Sequence, residues 1–171
     1  QIIGIKFKEK KLLAKSLVHK SHDNKDNNEQ LEFLGDRVLG LVLAKTLLKI
    51  YPNDSQGIID KKFANLVNKK TCLLVAKKLN LKKFIITGGS YKGLRRSDDK
   101  IISDGLEALL GAIFLDQGIN IVEKFILNVW EEFLEKSTET KIDAKTQLQE
   151  YSLKKFKTLP IYTIQKQSGP Q

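Results

Sequence analysis

Two pairs of acidic residues have a spacing that suits metal-ion chemistry. Glu32 and Asp36 are four residues apart. Asp104 and Glu107 are three residues apart. In a helix, either spacing projects both carboxylates from one face, about one turn apart, so each pair can share a ligand. For a single pair, an exposed acid pair or a buried salt bridge is the plainer interpretation.

The neighbouring residues indicate that both pairs border a buried region. Asp36 leads into the segment 38–44, in which every residue is apolar or glycine. Glu107 is the only charged residue between Gly105 and Leu115. We therefore predict that both helices are enclosed by protein on all sides. A buried carboxylate without a partner is costly, so each acid must take up a proton, pair with a base or bind a cation.

Packing these two helices side by side would gather all four acids. Four adjacent carboxylates repel one another unless divalent cations neutralise them. Oxygen ligands with room for water favour Mg²⁺, with Mn²⁺ as a substitute, over zinc. Such a site can activate water towards a phosphodiester and stabilise the leaving oxygen. We expect metal ligation by Glu32, Asp36, Asp104 and Glu107, with Asp36 and Glu107 as catalytic residues.

Helical periodicity accounts for most of the chain, and few strands are expected before residue 159. Apolar spacing and turn residues predict helices at 10–19, 28–51, 57–67, 71–79, 101–115, 121–135 and 144–153. Asn28 is expected to cap the second of these helices. In the fifth, Ala108, Gly111 and Ala112 are small enough to let another helix approach closely. The main domain is predicted to be all-α, with a β-like segment only at 161–164.

Positive charge is concentrated in one part of the chain. Twelve lysines or arginines and two aspartates lie in the segment 61–103, which alone accounts for the formal net charge of +10. Such clustering is typical of proteins that bind a polyanion. A solvated, lysine-rich helical face would look the same by charge alone. Within this segment, residues 88–99 are expected to form a flexible basic loop that carries Lys92, Arg95 and Arg96.

Composition excludes several classes of protein. With 171 residues, 41% of them hydrophobic, the chain is expected to fold as one domain with an appendage rather than to be disordered. Its longest nearly apolar run, 38–44, is too short to cross a bilayer, so we expect no membrane partner and a cytoplasmic location. The single cysteine, Cys72, and two histidines provide neither an internal disulfide nor a zinc site. Since the sequence begins at Gln1 and contains no methionine, we expect it to be a fragment.

Three local sequences resemble patterns of a known family. The stretch NEQLEFLGD at 28–36 resembles the signature of the ribonuclease III endonuclease domain. SDGLEALLGA at 103–112 resembles that family's second acidic motif, and LVHKS at 17–21 is similar to its first-helix pattern. The resemblance extends from about residue 10 to residue 135.

This resemblance implies a helical endonuclease domain that homodimerises and cleaves double-stranded RNA with Mg²⁺, leaving short 3′ overhangs. Its substrates would be ribosomal precursors and other structured RNAs, and it would need no small-molecule cofactor. The resemblance places Phe33 at the contact with the partner subunit, with a plain core position as the alternative, and Glu29 near the catalytic valley. Where the family usually has a glutamate this chain has Gln56, which puts an accessory charge in doubt but not the metal site.

The end of the chain resembles a second kind of domain. DAKTQLQE at 143–150, followed by PIY at 160–162 and SGP at 168–170, resembles the opening of a double-stranded-RNA-binding domain. This resemblance implies that Gln147 and Glu150 contact the RNA minor groove. The histidine expected after Gly-Pro and the later elements of that domain do not appear. The expected organisation is an endonuclease domain at 1–135, a linker at 136–142, and the N-terminal part of an α/β double-stranded-RNA-binding domain at 143–171.

Two other functions are compatible with parts of the pattern. A non-catalytic RNA-binding relative would keep the fold, but it is expected to have lost one or more of the four carboxylates, and all four are present. An unrelated helical metal phosphohydrolase acting on small substrates would explain the acids, but neither the basic segment nor the residues after Asp143. We therefore predict an endoribonuclease specific for double-stranded RNA.

Overall fold

The structure, a computed structural model, describes residues 4–89, 98–137 and 144–163. These residues form α1 (Lys10–Ser16), α2 (Glu29–Ile50), α3 (Gln56–Val67), α4 (Lys69–Lys78), α5 (Asp99–Gln117), α6 (Ile119–Lys136), α7 (Ala144–Phe156) and one 3-10 helix, Leu81–Lys83. No β-strand occurs in the described ranges, so the all-α class predicted for the main domain is confirmed. Within the same ranges, no helix has the length and apolar character needed to span a membrane.

The chain divides into two compact units, residues 1–138 with α1 to α6 and residues 139–171 with α7. In the second unit, the rings of Tyr151 and Phe156 meet edge to face, with centroids 6.3 Å apart. The β-like segment predicted at 161–164 is wrong for residues 161–163, which form no strand; residue 164 lies outside the described residues. A strand needs a partner for its N–H and C=O groups, and the described residues provide no second strand here.

α5 is the centre of the first unit and packs against α1, α2, α4 and α6. Its residues 101–106 and 108–113 are all buried, which confirms the prediction that this helix is enclosed by protein. α6 closes the other side of the core with Trp130, which is fully buried and donates its indole N–H to the Leu66 carbonyl at 3.0 Å. α5 is therefore a rigid support for the side chains that leave it.

α2 differs from α5 because one of its faces is open. Leu43 is fully buried, but Phe33, Leu41 and Leu48 are 63%, 63% and 61% exposed. We call these three residues the open face of α2; their spacing of seven or eight residues places them on one side of the helix. The prediction that 38–44 is enclosed on all sides is therefore wrong, as is a plain core position for Phe33. An apolar pattern cannot distinguish burial within one chain from an apolar surface kept for another molecule.

The start of α2 is stabilised by Asn27 rather than by Asn28. The side-chain oxygen of Asn27 accepts a hydrogen bond from the backbone N–H of Glu29 at 3.0 Å. Asn28 holds the N-cap position with φ −86° and ψ −5°, and its side chain makes no capping bond. The predicted cap is wrong because a capping side chain needs an extended backbone, whereas the backbone of Asn28 is already close to helical.

Candidate metal centre

Two glycines let α2 and α5 approach each other closely. A Cβ atom on Gly35 would lie 1.7 Å from the carbonyl oxygen of Glu107. A Cβ atom on Gly111 would lie 2.2 Å from the carbonyl oxygen of Leu31. Gly35 directly precedes Asp36, and Gly111 lies one turn beyond Glu107. The helix contact that requires glycine is therefore the same contact that brings the acids of the two helices together.

Three of the acids converge between α2 and α5. Glu32, Asp104 and Glu107 each offer a carboxylate oxygen, and these oxygens lie within 4.8 Å of one another. Asp104 is 6% exposed, while Glu32 and Glu107 are partly buried. We call these three side chains the carboxylate cluster, and a single cation could bind all three of them. It opens onto a cleft of about 240 Å³ lined by Glu29, Glu32, Phe33, Asp36, Arg37 and Glu107.

Asp36 lines the same cleft, but its carboxylate is directed to another partner. Its Oδ2 accepts a hydrogen bond from Nη1 of Arg37 at 2.8 Å, and its side chain is about half exposed. Asp36 is not a member of the carboxylate cluster. Asp36 therefore lies beside the three converging acids with its carboxylate paired to the adjacent guanidinium, and its role as a metal ligand stays a prediction.

The crowding of acids changes their protonation. Burial, together with repulsion from Asp36, Asp104 and Glu32, raises the pKa of Glu107 to about 7. Burial and the nearby carboxylate of Asp104 also raise the pKa of Glu32. A divalent cation would offset both effects, because it replaces repulsion between the carboxylates with attraction to a shared charge. The donor set therefore fits a hard cation that prefers carboxylate oxygens.

Cationic side chains accompany the acids, and the sequence patterns did not reveal them. Lys100 Nζ donates to Asp104 Oδ2 at 2.5 Å, and this hydrogen bond raises the pKa of Lys100. Lys20 Nζ donates to Glu29 Oε1 at 2.8 Å, which raises the pKa of Lys20 and lowers that of Glu29. Lys100 could have been found from its i,i+4 spacing to Asp104. Lys20 lies within the LVHKS pattern, but nothing in that pattern pairs it with Glu29, and Arg37 had no comparable signal.

Backbone pairing outside the helices holds Lys20 in place. The N–H of His19 donates to the carbonyl of Ile86 at 2.9 Å. Two residues further along each segment, the N–H of Gly88 donates to Oγ of Ser21 at 3.0 Å. Burial and the neighbouring ammonium of Lys20 lower the pKa of His19. The pairing anchors the segment that carries Lys20, so the ion pair with α2 forms at a defined position.

The other predicted site residues lie away from this centre or beyond the description. Gln56 is the exposed first residue of α3 and does not line the cleft. Gln147 and Glu150 lie in α7, and their side chains are outside the described part of the structure. The three basic residues predicted to contact RNA also lie outside the described residues: Lys92, Arg95 and Arg96.

The two acidic motifs fall within a single family match. A family model described as Ribonuclease-III-like matches residues 9–133. The chain belongs to the ribonuclease III family. Ribonuclease 3 of Pelagibacter ubique is 55% identical over 169 residues, which cover 99% of this chain and 76% of that protein. Ribonuclease 3 of Leptospira interrogans is 41% identical over 176 residues, covering 98% and 71% of the two chains.

A solved ribonuclease III structure has the same helical arrangement. The nuclease domain of ribonuclease III from Campylobacter jejuni matches with a TM-score of 0.73 and 37% identity, covering 78% of this chain and 94% of that one. That nuclease domain shows structural flexibility in a region involved in dimer formation. The ribonuclease III family indicated by the two acidic motifs is thus confirmed.

Proposed function

We propose that this ribonuclease III chain is an endoribonuclease that hydrolyses phosphodiester bonds of double-stranded RNA at the centre between α2 and α5. The family match and two relatives named Ribonuclease 3 support the ribonuclease activity. The observation that carries the assignment of the site is the convergence of Glu32, Asp104 and Glu107 within 4.8 Å.

The donor set supports Mg²⁺ as the cofactor, with Mn²⁺ as a substitute. Glu32, Asp104 and Glu107 would hold the cation, and Asp36 would complete the ligand set. When bound, the cation supplies Lewis-acid chemistry, which activates water and stabilises the negative charge that develops on the phosphodiester. Glu107 must give up its proton to act as a ligand, so metal binding is expected to release protons.

The distribution of positive charge supports a polyanionic substrate. Lys20 pairs with Glu29 at the edge of the centre and Lys100 pairs with Asp104 inside it, so phosphate oxygens of a bound RNA could replace these carboxylates as partners. Beyond the centre, we propose that the basic loop residues and the first helix of a double-stranded-RNA-binding domain contact the RNA through Lys92, Arg95, Arg96, Gln147 and Glu150. The corresponding organisation is an endonuclease domain at 1–135 and the start of the binding domain at 143–171. RNA shape, rather than base sequence, would then dominate recognition.

The open face of α2 supports a homodimer. Its three large apolar side chains are each more than 60% exposed, and such a group is typical of a surface that another molecule covers. The matched Campylobacter jejuni nuclease domain has a region involved in dimer formation. We therefore propose a second copy of this chain as the partner, with one centre in each subunit acting on one RNA strand to leave a short 3′ overhang.

Substitution of one carboxylate tests the proposed centre. Glu107→Gln should retain binding of a long RNA duplex but reduce Mg²⁺-dependent cleavage by at least about 100-fold, the effect expected when a group that stabilises transition-state charge is lost. Gel assays of cleavage and binding, with single-stranded RNA of equal length alongside, measure both properties. Glu131→Gln, an exposed and isosteric change on α6, is the matched control and should cut at the parent rate. Cleavage by Glu107→Gln at the parent rate would show that the site is assigned wrongly.

The proposed RNA contacts of the basic loop are tested by salt. Replacing Lys92, Arg95 and Arg96 with glutamine should weaken duplex binding and reduce the slope of log K against log salt by about one for each lost phosphate contact. An unchanged slope would return these residues to the solvated-surface interpretation.

A further inference from the structure

Arg37 connects the candidate metal centre to the open face of α2. Its guanidinium carbon lies 4.0 Å from the centre of the Phe33 ring. The same guanidinium donates from Nη1 to Asp36 Oδ2 at 2.8 Å and to the Phe33 carbonyl oxygen at 3.3 Å. One side chain thus holds the carboxylate of Asp36 and covers a face of the Phe33 ring.

Asp36 lies next to the carboxylate cluster but is not one of its three members. Repulsion from its charge adds to burial in raising the pKa of Glu107. Asp36 also lines the same cleft, yet it is not among the three acids whose oxygens lie within 4.8 Å of one another. The only charged partner that the structure gives its carboxylate, among the described residues, is Arg37.

Phe33 belongs at the same time to the surface that the proposed homodimer would cover. Its ring is exposed to the same extent as the other apolar side chains of the open face, and the guanidinium of Arg37 occupies one of its two faces. A partner subunit that packs around this ring competes with Arg37 for it. A partner side chain that takes the face of the ring now covered by the guanidinium would displace Arg37 from that face.

We propose that Arg37 is a positioning residue that links completion of the metal centre to homodimerisation. In the monomer, Arg37 holds Asp36 outside the carboxylate cluster. In the dimer, Arg37 leaves the Phe33 ring and releases Asp36 to join Glu32, Asp104 and Glu107. This inference rests on the metal centre and homodimer proposed above. An exposed ion pair and an exposed cation–π contact are both weak, so the expected change in metal affinity is about threefold to tenfold.

The test is a double-mutant cycle read out by Mn²⁺ affinity in the absence of RNA. Leu48→Asp introduces a charge into the open face, and Leu48 is 61% exposed, so the core is unaffected. Its position twelve residues beyond Asp36 places the new charge about 18 Å away along α2. Leu41→Gln is a second, uncharged way to weaken the same face. Sedimentation velocity gives the association state, and electron paramagnetic resonance gives the free Mn²⁺.

The monomeric Leu48→Asp protein should bind Mn²⁺ about threefold to tenfold more weakly than the dimeric parent. In the Leu48→Asp monomer, the additional substitution Arg37→Gln should restore the Mn²⁺ affinity of the parent. In the dimeric protein, Arg37→Gln alone should leave the Mn²⁺ affinity unchanged. Lys45→Gln removes a positive charge from the same helix, where Lys45 pairs with Glu123. This control should change the Mn²⁺ affinity of neither the monomer nor the dimer. Addition of Mn²⁺ to the parent should also strengthen dimerisation, because coupling between two equilibria is reciprocal.

The possible failures are distinguishable. Absence of Mn²⁺ binding by every protein would overturn the proposed metal centre. If Leu48→Asp and Leu41→Gln leave the association state unchanged, or the parent is monomeric, the open face is not the interface and this inference fails with the proposed homodimer. If monomer and dimer bind Mn²⁺ equally, only the inference fails. It also fails alone if Arg37→Gln raises the Mn²⁺ affinity equally in both, because the effect of Arg37 is then simple charge repulsion.

Discussion

Glu107 shows how much the chemistry of one side chain depends on its surroundings in the fold. Burial and three neighbouring acids raise its pKa from the ordinary value of 4.5 to about 7. The folded protein therefore binds this proton more tightly than the unfolded chain does. A raised carboxyl pKa contributes stability below the unfolded-state value, and that contribution is lost as pH rises through the folded-state value.

In the presence of a chelator, the melting temperature of the protein should fall between about pH 4.5 and pH 7 because of this residue. Glu107→Gln should remove that part of the pH dependence. The lowered pKa of His19 acts in the opposite direction, and the raised pKa of Glu32 in the same direction, so the difference between the parent and variant curves reports Glu107 together with its coupling to Glu32. Thermal unfolding followed by circular dichroism at several pH values measures it. Parallel curves for the two proteins would contradict the prediction.

At the scale of elements, the contact between α2 and α5 decides whether the acids meet. Gly35 and Gly111 each leave room for a backbone carbonyl of the opposite helix. Any side chain at these positions would force the helices apart, because carbonyl groups within a helix cannot move independently of their hydrogen bonds. The geometry of the metal centre therefore depends on two residues that carry no functional group.

Gly35→Ala should destabilise the protein by about 1–3 kcal/mol or more, the range found for overpacked interiors. It should also weaken Mn²⁺ binding, because the acids of α2 would move away from those of α5. Gly40→Ala is the matched control on the same helix, since its Cβ would make an ordinary contact with Phe63 at 3.5 Å. Alanine is favoured over glycine in a helix by about 1 kcal/mol, so this variant should be neutral or more stable. Chemical denaturation gives both values; equal effects of the two substitutions would refute the role of the close contact.

At the scale of the whole molecule, the first unit is closed by a buried polar cluster at its end. Lys62 is 4% exposed; its Nζ donates to the carbonyl of Ser137 at 2.8 Å and lies 3.8 Å from the centre of the Tyr51 ring. Asp54 adds a longer ion pair at 3.8 Å. These contacts tie the middle of α3 to the C-terminal ends of α2 and α6, at the point where the unit ends. The core and its closing cluster therefore belong entirely to residues 1–138.

A protein comprising residues 1–138 should therefore unfold cooperatively, with a melting temperature within a few degrees of that of the full chain. It should keep Mg²⁺-dependent cleavage but bind duplex RNA more weakly, as expected if residues 143–171 contribute RNA contacts. Residues 139–171 alone should show no cooperative transition, because one helix cannot bury a core. Differential scanning calorimetry and duplex binding test these expectations. Loss of cooperative unfolding in the shorter protein would contradict them.

Features that depend on local spacing could be predicted from the sequence alone. Helical periodicity identified the helices, with ends that differ from the structure by a few residues, and the two acid pairs were found from positions three or four apart. Residues so close in sequence keep their mutual geometry in any helix, whatever surrounds it. The all-α class and the ribonuclease III family follow from the same local patterns.

Which helix faces are covered and which charges meet could not be predicted, because both depend on how the helices pack. Periodicity records that Leu41 is apolar, but not that its side chain is 63% exposed within the described part of the chain. Lys20 pairs with Glu29, and Lys62 is buried beside Ser137. No regular sequence spacing relates the two residues of either pair. The position of the Asp36 carboxylate outside the carboxylate cluster likewise appears only in the three-dimensional structure. Electrostatic and packing energies depend on distance in three dimensions, and sequence separation does not record that distance.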